Sequence, residues 1–295
     1  MIARRTVLAA AACLLAGLPG QSARPAPPAA SPDLPGVDTS ALSADQKAVL
    51  TAWAGDAFCY CGCPHTVSQC LREHGTCRHA KRMASLAARL VRSGARRPDL
   101  DKVLDGYYAS FDKRVRLDVA RFGPPLGNPG AKLTLVEFSD FTCPYCQMIR
   151  PTLESFVRAR ADRVKLHYKP FPIESHPGAL ECAQTAEWAR EKGRFWAMHD
   201  ALFENPAAHT VSDLADHARA LGLDPAELRQ VIADGTHLAK IRESQAEARA
   251  AGLKGTPTLF LDGRLLLLGD VSDEWLEHTL ADEEEWQANR GWIRD

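Results

Sequence analysis

Two cysteines separated by two residues, Cys143 and Cys146, follow an apolar run in LTLVEFSDFTCPYCQ, residues 133–147. Thiols at this spacing lie one turn apart on a helix face, close enough to bridge and so to trade two electrons with another dithiol. Pro144 suits a first helical turn, which puts Cys143 at the helix N-terminus. Unpaired backbone N–H groups and the helix dipole there favour a thiolate over a thiol. Cys143 is therefore the expected attacking sulfur and Cys146, one turn deeper, the expected resolving sulfur. Half a zinc site or a structural pair is the general alternative for any Cys-x-x-Cys, but the strand, loop and helix start around this one favour redox chemistry.

The elements that must hold these sulfurs are legible around them. LTLVEF reads as a strand covered on both faces, because parallel strands carry continuous β-branched and aromatic residues. From Pro144 the apolar positions Met148, Ile149, Leu153, Phe156 and Val157 follow helical spacing. The next strand is expected at 164–169, which makes the unit a right-handed βαβ. Glu137 is an unusual carboxylate within the apolar strand. If it is buried, its pKa rises toward the range useful for moving protons to and from Cys146; a Glu facing solvent at a strand edge is the alternative.

These residues carry a family resemblance. Through VEFSDF and CPYC, residues 124–280 resemble the DsbA-like branch of the thioredoxin superfamily. GTPTLFLDG at 255–263 is similar to that family's cis-proline loop and the strand and turn after it. The resemblance implies a cis Pro257 facing Cys143 and Cys146, with Pro144, Tyr145, Thr256 and Pro257 meeting the substrate. It also implies an acidic residue at the position of Glu137. Proline supports the loop assignment physically, since it alone adopts cis cheaply and removes an N–H where a client strand could pair. Residues 176–254 are helical in pattern, and HPGALECAQTA and GRFWAMHDALF resemble the family's helical subdomain between its second and third core strands. Cys182 and His199 are expected to be core residues there, and His176 to brace the loop. A hairpin with Asp262-Gly263 at its turn joins 259–261 to 265–268, and a helix at 272–281 closes the fold.

A second set of chemical side chains lies in FCYCGCPHTVSQCLREHGTCRH, residues 58–79, which holds Cys59, Cys61, Cys63, Cys70 and Cys77 with His65, His74 and His79. Three readings stand side by side. The first is a disulfide-stapled helical hairpin. The second is a zinc or copper(I) site drawing on the thiolates with His65 and His79. The third is a redox relay. Residues 58–118 bear a weaker resemblance to the periplasmic cysteine-bearing helical domain of the CcmH family in cytochrome c maturation, mainly through Leu86, Leu90, Val91, Leu104, Tyr107 and Phe111. The Cys-x-Cys-x-Cys motif differs from that family's Cys-x-x-Cys. Arginines from Arg72 to Arg97 form a basic face that is expected to be solvated.

Composition is that of a soluble globular protein, 45% hydrophobic and 25% charged over 295 residues, with a net charge of −1 and hence no basic field for nucleic acid. Arg4 and Arg5 precede an apolar stretch at 6–18, as in a secretory signal peptide; an uncleaved anchor or a lipoprotein acceptor at Cys13 are the alternatives. Export to a periplasm or cell envelope suits nine cysteines.

The expected organisation is a signal peptide at 1–23, a proline-rich linker at 24–40, a Cys-rich helical domain at 41–120, a DsbA-like domain at 124–282 and a tail at 283–295. The fold class is α/β, a thioredoxin fold with a helical insertion, preceded by a small Cys-rich α-helical domain. The expected activity is thiol:disulfide exchange with client proteins, in the oxidising direction, sustained by a membrane redox partner. No cofactor is needed at CPYC, whereas zinc or copper would sit at the N-terminal cluster. The alternatives are a reductase, an isomerase or a haem-pathway thiol reductase, and, from another class, a metal or haem-pathway thiol carrier.

Overall fold

Ser43 accepts the N–H of Gln46, and Gln46 accepts that of Ser43 in return, so a reciprocal cap opens helix α1 (Ala44–Asp56). Thr66 and Gln69 repeat the device before α2 (Val67–Glu73), and the Cys77 sulfur caps α3 (Arg78–Arg92). Gly94, at φ 95°, ends α3 with Ala95 donating back to the Leu90 carbonyl, and α4 (Arg97–Ala109) follows with Pro98 in its first turn. The computed structural model describes residues 34–266 and 271–292. The signal segment with Cys13, the linker up to residue 33, and residues 267 and 268 of the expected hairpin lie outside the described residues.

The central strand β1 (Leu133–Ser139) has six buried residues of seven, because it is paired on both edges. It runs parallel to β2 (Val164–Pro170), from Leu133 opposite Val164 to Ser139 opposite Pro170. On its other edge it runs antiparallel to β3 (Thr258–Leu261), which pairs with β4 (Arg264–Leu265), giving the order β2-β1-β3-β4. Helix α5 (Pro144–Ala159) connects β1 to β2. Five helices separate β2 from β3: α6 (Ala179–Glu191), α7 (Phe195–Glu204), α8 (Val211–Ala220), α9 (Pro225–Asp234) and α10 (Leu238–Ala250). Asp262 and Gly263 take φ of 46° and 81° in the expected hairpin turn. A Cβ on Gly263 would collide with the Val115 carbonyl oxygen, so the residue there must be glycine.

Three features depart from the sequence reading. The closing helix α11 (Asp273–Asn289) does not stop near residue 281, and most of the charged tail belongs to it. Two of its acidic residues are buried: Glu283 takes Arg264 at 2.8 Å and Arg114 at 2.7 Å, and Asp282 accepts the Tyr107 hydroxyl at 2.9 Å. Arg82 and Arg89, expected on a solvated face, instead reach α11, at Asp282 and Glu285 and at the Ser272 hydroxyl respectively. The described residues form one compact unit, in which Trp53, Leu104 and Phe111 share an apolar cluster with Leu133, Phe156 and Leu276. The proline- and glycine-rich residues 123–130, where the expected DsbA-like domain begins, are stitched onto the sheet, with Leu126 and Leu166 exchanging both backbone bonds.

Candidate active site

The loop that delivers Cys143 is organised by one buried carboxylate. Asp140, 2% exposed, accepts from the N–H and hydroxyl of Thr142 at 2.8 Å each, from the N–H of Ile173 at 2.9 Å, and faces Nδ1 of His176 at 2.8 Å. Its carbonyl takes the N–H of Cys143 at 3.1 Å, so the cysteine is fixed as the N-cap of α5. His176 braces the loop, as expected. Asp140 itself was missed, although an Asp two residues before a Thr is a local turn signal.

The two sulfurs are driven in opposite directions. A hydrogen bond from Cys146 lowers the Cys143 thiol to about 5 against the opposing effect of burial, with further help from Thr256 and the N–H groups of Cys146 and Tyr145. Cys146 is fully buried, and its thiol is pushed well up, first by burial, then by its bond to Cys143 and by the charge of Glu137. Glu137 is 3% exposed, and burial raises its carboxyl to about 7, with Glu154 and Cys143 adding to the rise while Ser139 and Arg150 oppose it. It therefore occupies the interior rather than a strand edge.

Across from the pair, the Thr256–Pro257 bond is cis, and the Cys143 sulfur donates to the Thr256 carbonyl at 3.5 Å. Cys143 is only 4% exposed as a residue, but it is ringed by exposed side chains: Pro144, Tyr145 at 67% and Met148 at 67%. Met148, one of the apolar positions that follow helical spacing, does not face the interior. Instead it stands one turn from Tyr145, and the two form an apolar rim. Cys182 is buried beside Phe141, Cys143 and Cys146, with its thiol raised by burial. His199 is enclosed by Phe141, Tyr168 and Phe203, with Nδ1 at 3.1 Å from Asp200, as expected of a satisfied core residue.

The N-terminal cysteines converge on a separate place. All eight cysteines among the described residues are free. The sulfurs of Cys59, Cys61, Cys70 and Cys77 all lie within 4.8 Å of one another, and all four residues are buried. Cys63 is nearer the surface, 3.3 Å from Cys61 and 3.0 Å from Cys70, and it forms a second group with His65 and Cys70. Burial raises the thiols of Cys59, Cys61 and Cys70. At Cys63 the effect of burial is outweighed by hydrogen bonds from Cys70, His65 and Cys61, which bring it down to about 7. His79, expected among the ligands, is turned away: its Nε2 meets Glu285 at 3.2 Å, because the first turn of α3 packs against α11.

A family model described as a DSBA-like thioredoxin domain matches residues 134–281. Among curated relatives, the chain is 34% identical over 135 residues to Na(+)/H(+) antiporter NhaA 3 of Salinispora tropica, covering 45% of this chain and 21% of that protein. It is 33% identical over 141 residues to Na(+)/H(+) antiporter NhaA 1 of Mycolicibacterium gilvum, covering 47% and 23%. The chain thus spans about a fifth of the length of these relatives. Among solved structures it is similar to a thioredoxin-like oxidoreductase from Silicibacter pomeroyi, at 29% identity and TM-score 0.51, covering 57% of this chain and 98% of that one. Oxidised BdbD from Bacillus subtilis, at 21% identity and TM-score 0.52, covers 58% and 96% and shares the fold. The family model spans just over half of the 295 residues and includes both the dithiol and the proline loop, so the chain belongs to the family of the DSBA-like thioredoxin domain.

Proposed function

We propose that the protein is an exported thiol:disulfide oxidoreductase that donates disulfides to client proteins through Cys143 and Cys146. The observation that carries this reading is the opposite displacement of the two thiols, Cys143 down to about 5 and Cys146 upward. A thiolate that ionises easily stabilises the reduced enzyme and leaves readily from a mixed disulfide, and both effects favour passing the disulfide on.

The exchange runs as follows. A client thiolate attacks the Cys143 sulfur of the enzyme disulfide, and the S–S electron pair leaves on Cys146. Cys146 then takes a proton, for which Glu137, with its carboxyl at about 7, is the nearby source. A second client thiolate attacks the client sulfur of the mixed disulfide and releases the Cys143 thiolate. The client has lost two electrons and the enzyme has gained them, and a membrane redox partner removes them again. Tyr145 and Met148 offer the client an apolar rim. Ionisation of Cys143 frees the Thr256 carbonyl to accept a client N–H, and Pro257 has none to compete.

Export is supported by the charged and apolar opening of the sequence and by its cysteine content. Among the described residues no helix is long and apolar enough to cross a membrane. Antiport belongs to the named relatives and is not carried over to this chain.

The test is the reduction potential of the Cys143–Cys146 pair in the full chain, equilibrated with glutathione buffers. A value near the roughly −120 mV of DsbA supports disulfide donation, and one near the roughly −270 mV of thioredoxin overturns it in favour of a reductase. Cys143→Ser should abolish exchange in either case.

A further inference from the structure

Five cysteines between residues 59 and 77 have no part in the exchange described for Cys143. Four of them, Cys59, Cys61, Cys70 and Cys77, bring their sulfurs within 4.8 Å of one another in the interior. Cys59 and Cys77 stand 4.0 Å apart. In a tetrahedron with metal–sulfur bonds of about 2.3 Å the sulfurs are about 3.8 Å from each other. A disulfide needs about 2.05 Å, so the Cys59–Cys77 spacing matches the edge of such a tetrahedron and not a bond between the two sulfurs.

The backbone fixes this arrangement. Cys59 donates to the His65 carbonyl at 3.2 Å, Gly62 donates back to Cys59 at 3.4 Å, and Gly62 takes φ 89°, folding residues 59–65 into a tight knuckle. The other two sulfurs come from regular elements, Cys70 from α2 and Cys77 from the N-cap of α3.

Two observations concern access. A pocket of about 400 Å³ opens over Cys61, Cys63, His65, Cys70 and Cys77. At its side, Nδ1 of His65 is buried without a hydrogen-bond partner, and His65 groups with Cys63 and Cys70 as a second possible ligand set. Cys70 belongs to both sets.

We propose that Cys59, Cys61, Cys70 and Cys77 form a tetrathiolate site for a zinc-class divalent cation, with Cys63 and His65 as entry ligands that pass the ion inward through Cys70. Four thiols lose four protons as the ion binds, leaving a complex of net charge −2 and no change in oxidation state. The odd number of cysteines is then accounted for as four that hold the ion and one that delivers it.

The experiment uses full-length protein, reduced and handled without oxygen, with Cys143→Ser/Cys146→Ser to silence the other pair. It is titrated with Zn²⁺, and with Co²⁺ as a spectroscopic probe. The site predicts one equivalent of zinc retained on dialysis, proton release approaching four per ion, and intense tetrahedral thiolate bands with cobalt. Cys59→Ser and Cys77→Ser should weaken zinc by more than about a hundredfold, while Cys63→Ser keeps the stoichiometry and slows uptake. Should those variants fail to fold, zinc added to the unmutated cluster must protect four thiols from alkylation. The proposal is overturned by a reduced protein that retains no zinc, by retention indifferent to Cys59→Ser, by binding of copper(I) alone, or by a Cys59–Cys77 disulfide in protein isolated under gentle conditions.

Discussion

Cys143 ionises on the acid side of neutrality while Cys146 holds its proton, and this split has direct readouts. Alkylation of Cys143 should rise through a half-maximum near pH 5, the value to which its hydrogen bonds bring it, with Cys146 unmodified in the folded protein. A half-maximum near 9 would remove the basis of the proposed direction. Glu137 gives a prediction of opposite sign. Its carboxyl is raised from 4.5 to about 7 in the fold, so the unfolded chain loses the proton first and folding is penalised as pH climbs through that window. Glu137→Gln should stabilise the protein by roughly 3 kcal/mol at pH 8 and by little at pH 4, read from urea midpoints at the two values. The same variant should slow release of Cys146 from the enzyme disulfide, because the proton source is gone.

The unit that matters at the level of elements is the β1–α5 turn. Its geometry rests on Asp140, which satisfies Thr142 and Ile173 and holds His176 from a second loop. Asp140→Ala leaves two backbone N–H groups without their acceptor and should cost about 3 kcal/mol in reduced protein at pH 7. Because the Cys143 N-cap moves with the loop, the alkylation midpoint should shift upward in the same variant; an unchanged midpoint would mean that the helix start is held by other contacts. The strand, the turn and the helix start were all readable in LTLVEFSDFTCPYC, since each depends on residues within a few positions. The exposure of Met148 was not, because helical spacing defines a face but not what covers it.

Over the whole molecule, α11 joins the helical region to the sheet. Arg264 and Glu283 are both essentially inaccessible and 2.8 Å apart, and Arg114 lies over Trp286 at 4.3 Å while it reaches the same carboxylate. Glu283→Gln strips a buried cation of its counter-charge and should destabilise the protein by about 3–4 kcal/mol. Since one apolar cluster spans both regions, fluorescence and far-UV circular dichroism should follow a single urea transition in the parent and the variant alike. Two separated transitions would show that the regions fold independently. The sequence reading separated a domain at 41–120 from one at 124–282; the prolines and glycines of 123–130, which end helical periodicity there, say nothing about the bonds between Leu126 and Leu166.

What the amino-acid order determined by itself is the chemistry and its local frame: two thiols a helical turn apart, a proline at the helix start, another in GTPT, and alternating helices and strands around them. These follow from backbone sterics, short-range hydrogen bonding and periodicity. Only the tertiary structure decided that Glu137 is enclosed, that His79 turns to Glu285 while four sulfurs converge, and that a charged tail is part of the core. Each of those outcomes depends on which distant residues exclude water or supply a counter-charge, and that is a property of the packed chain.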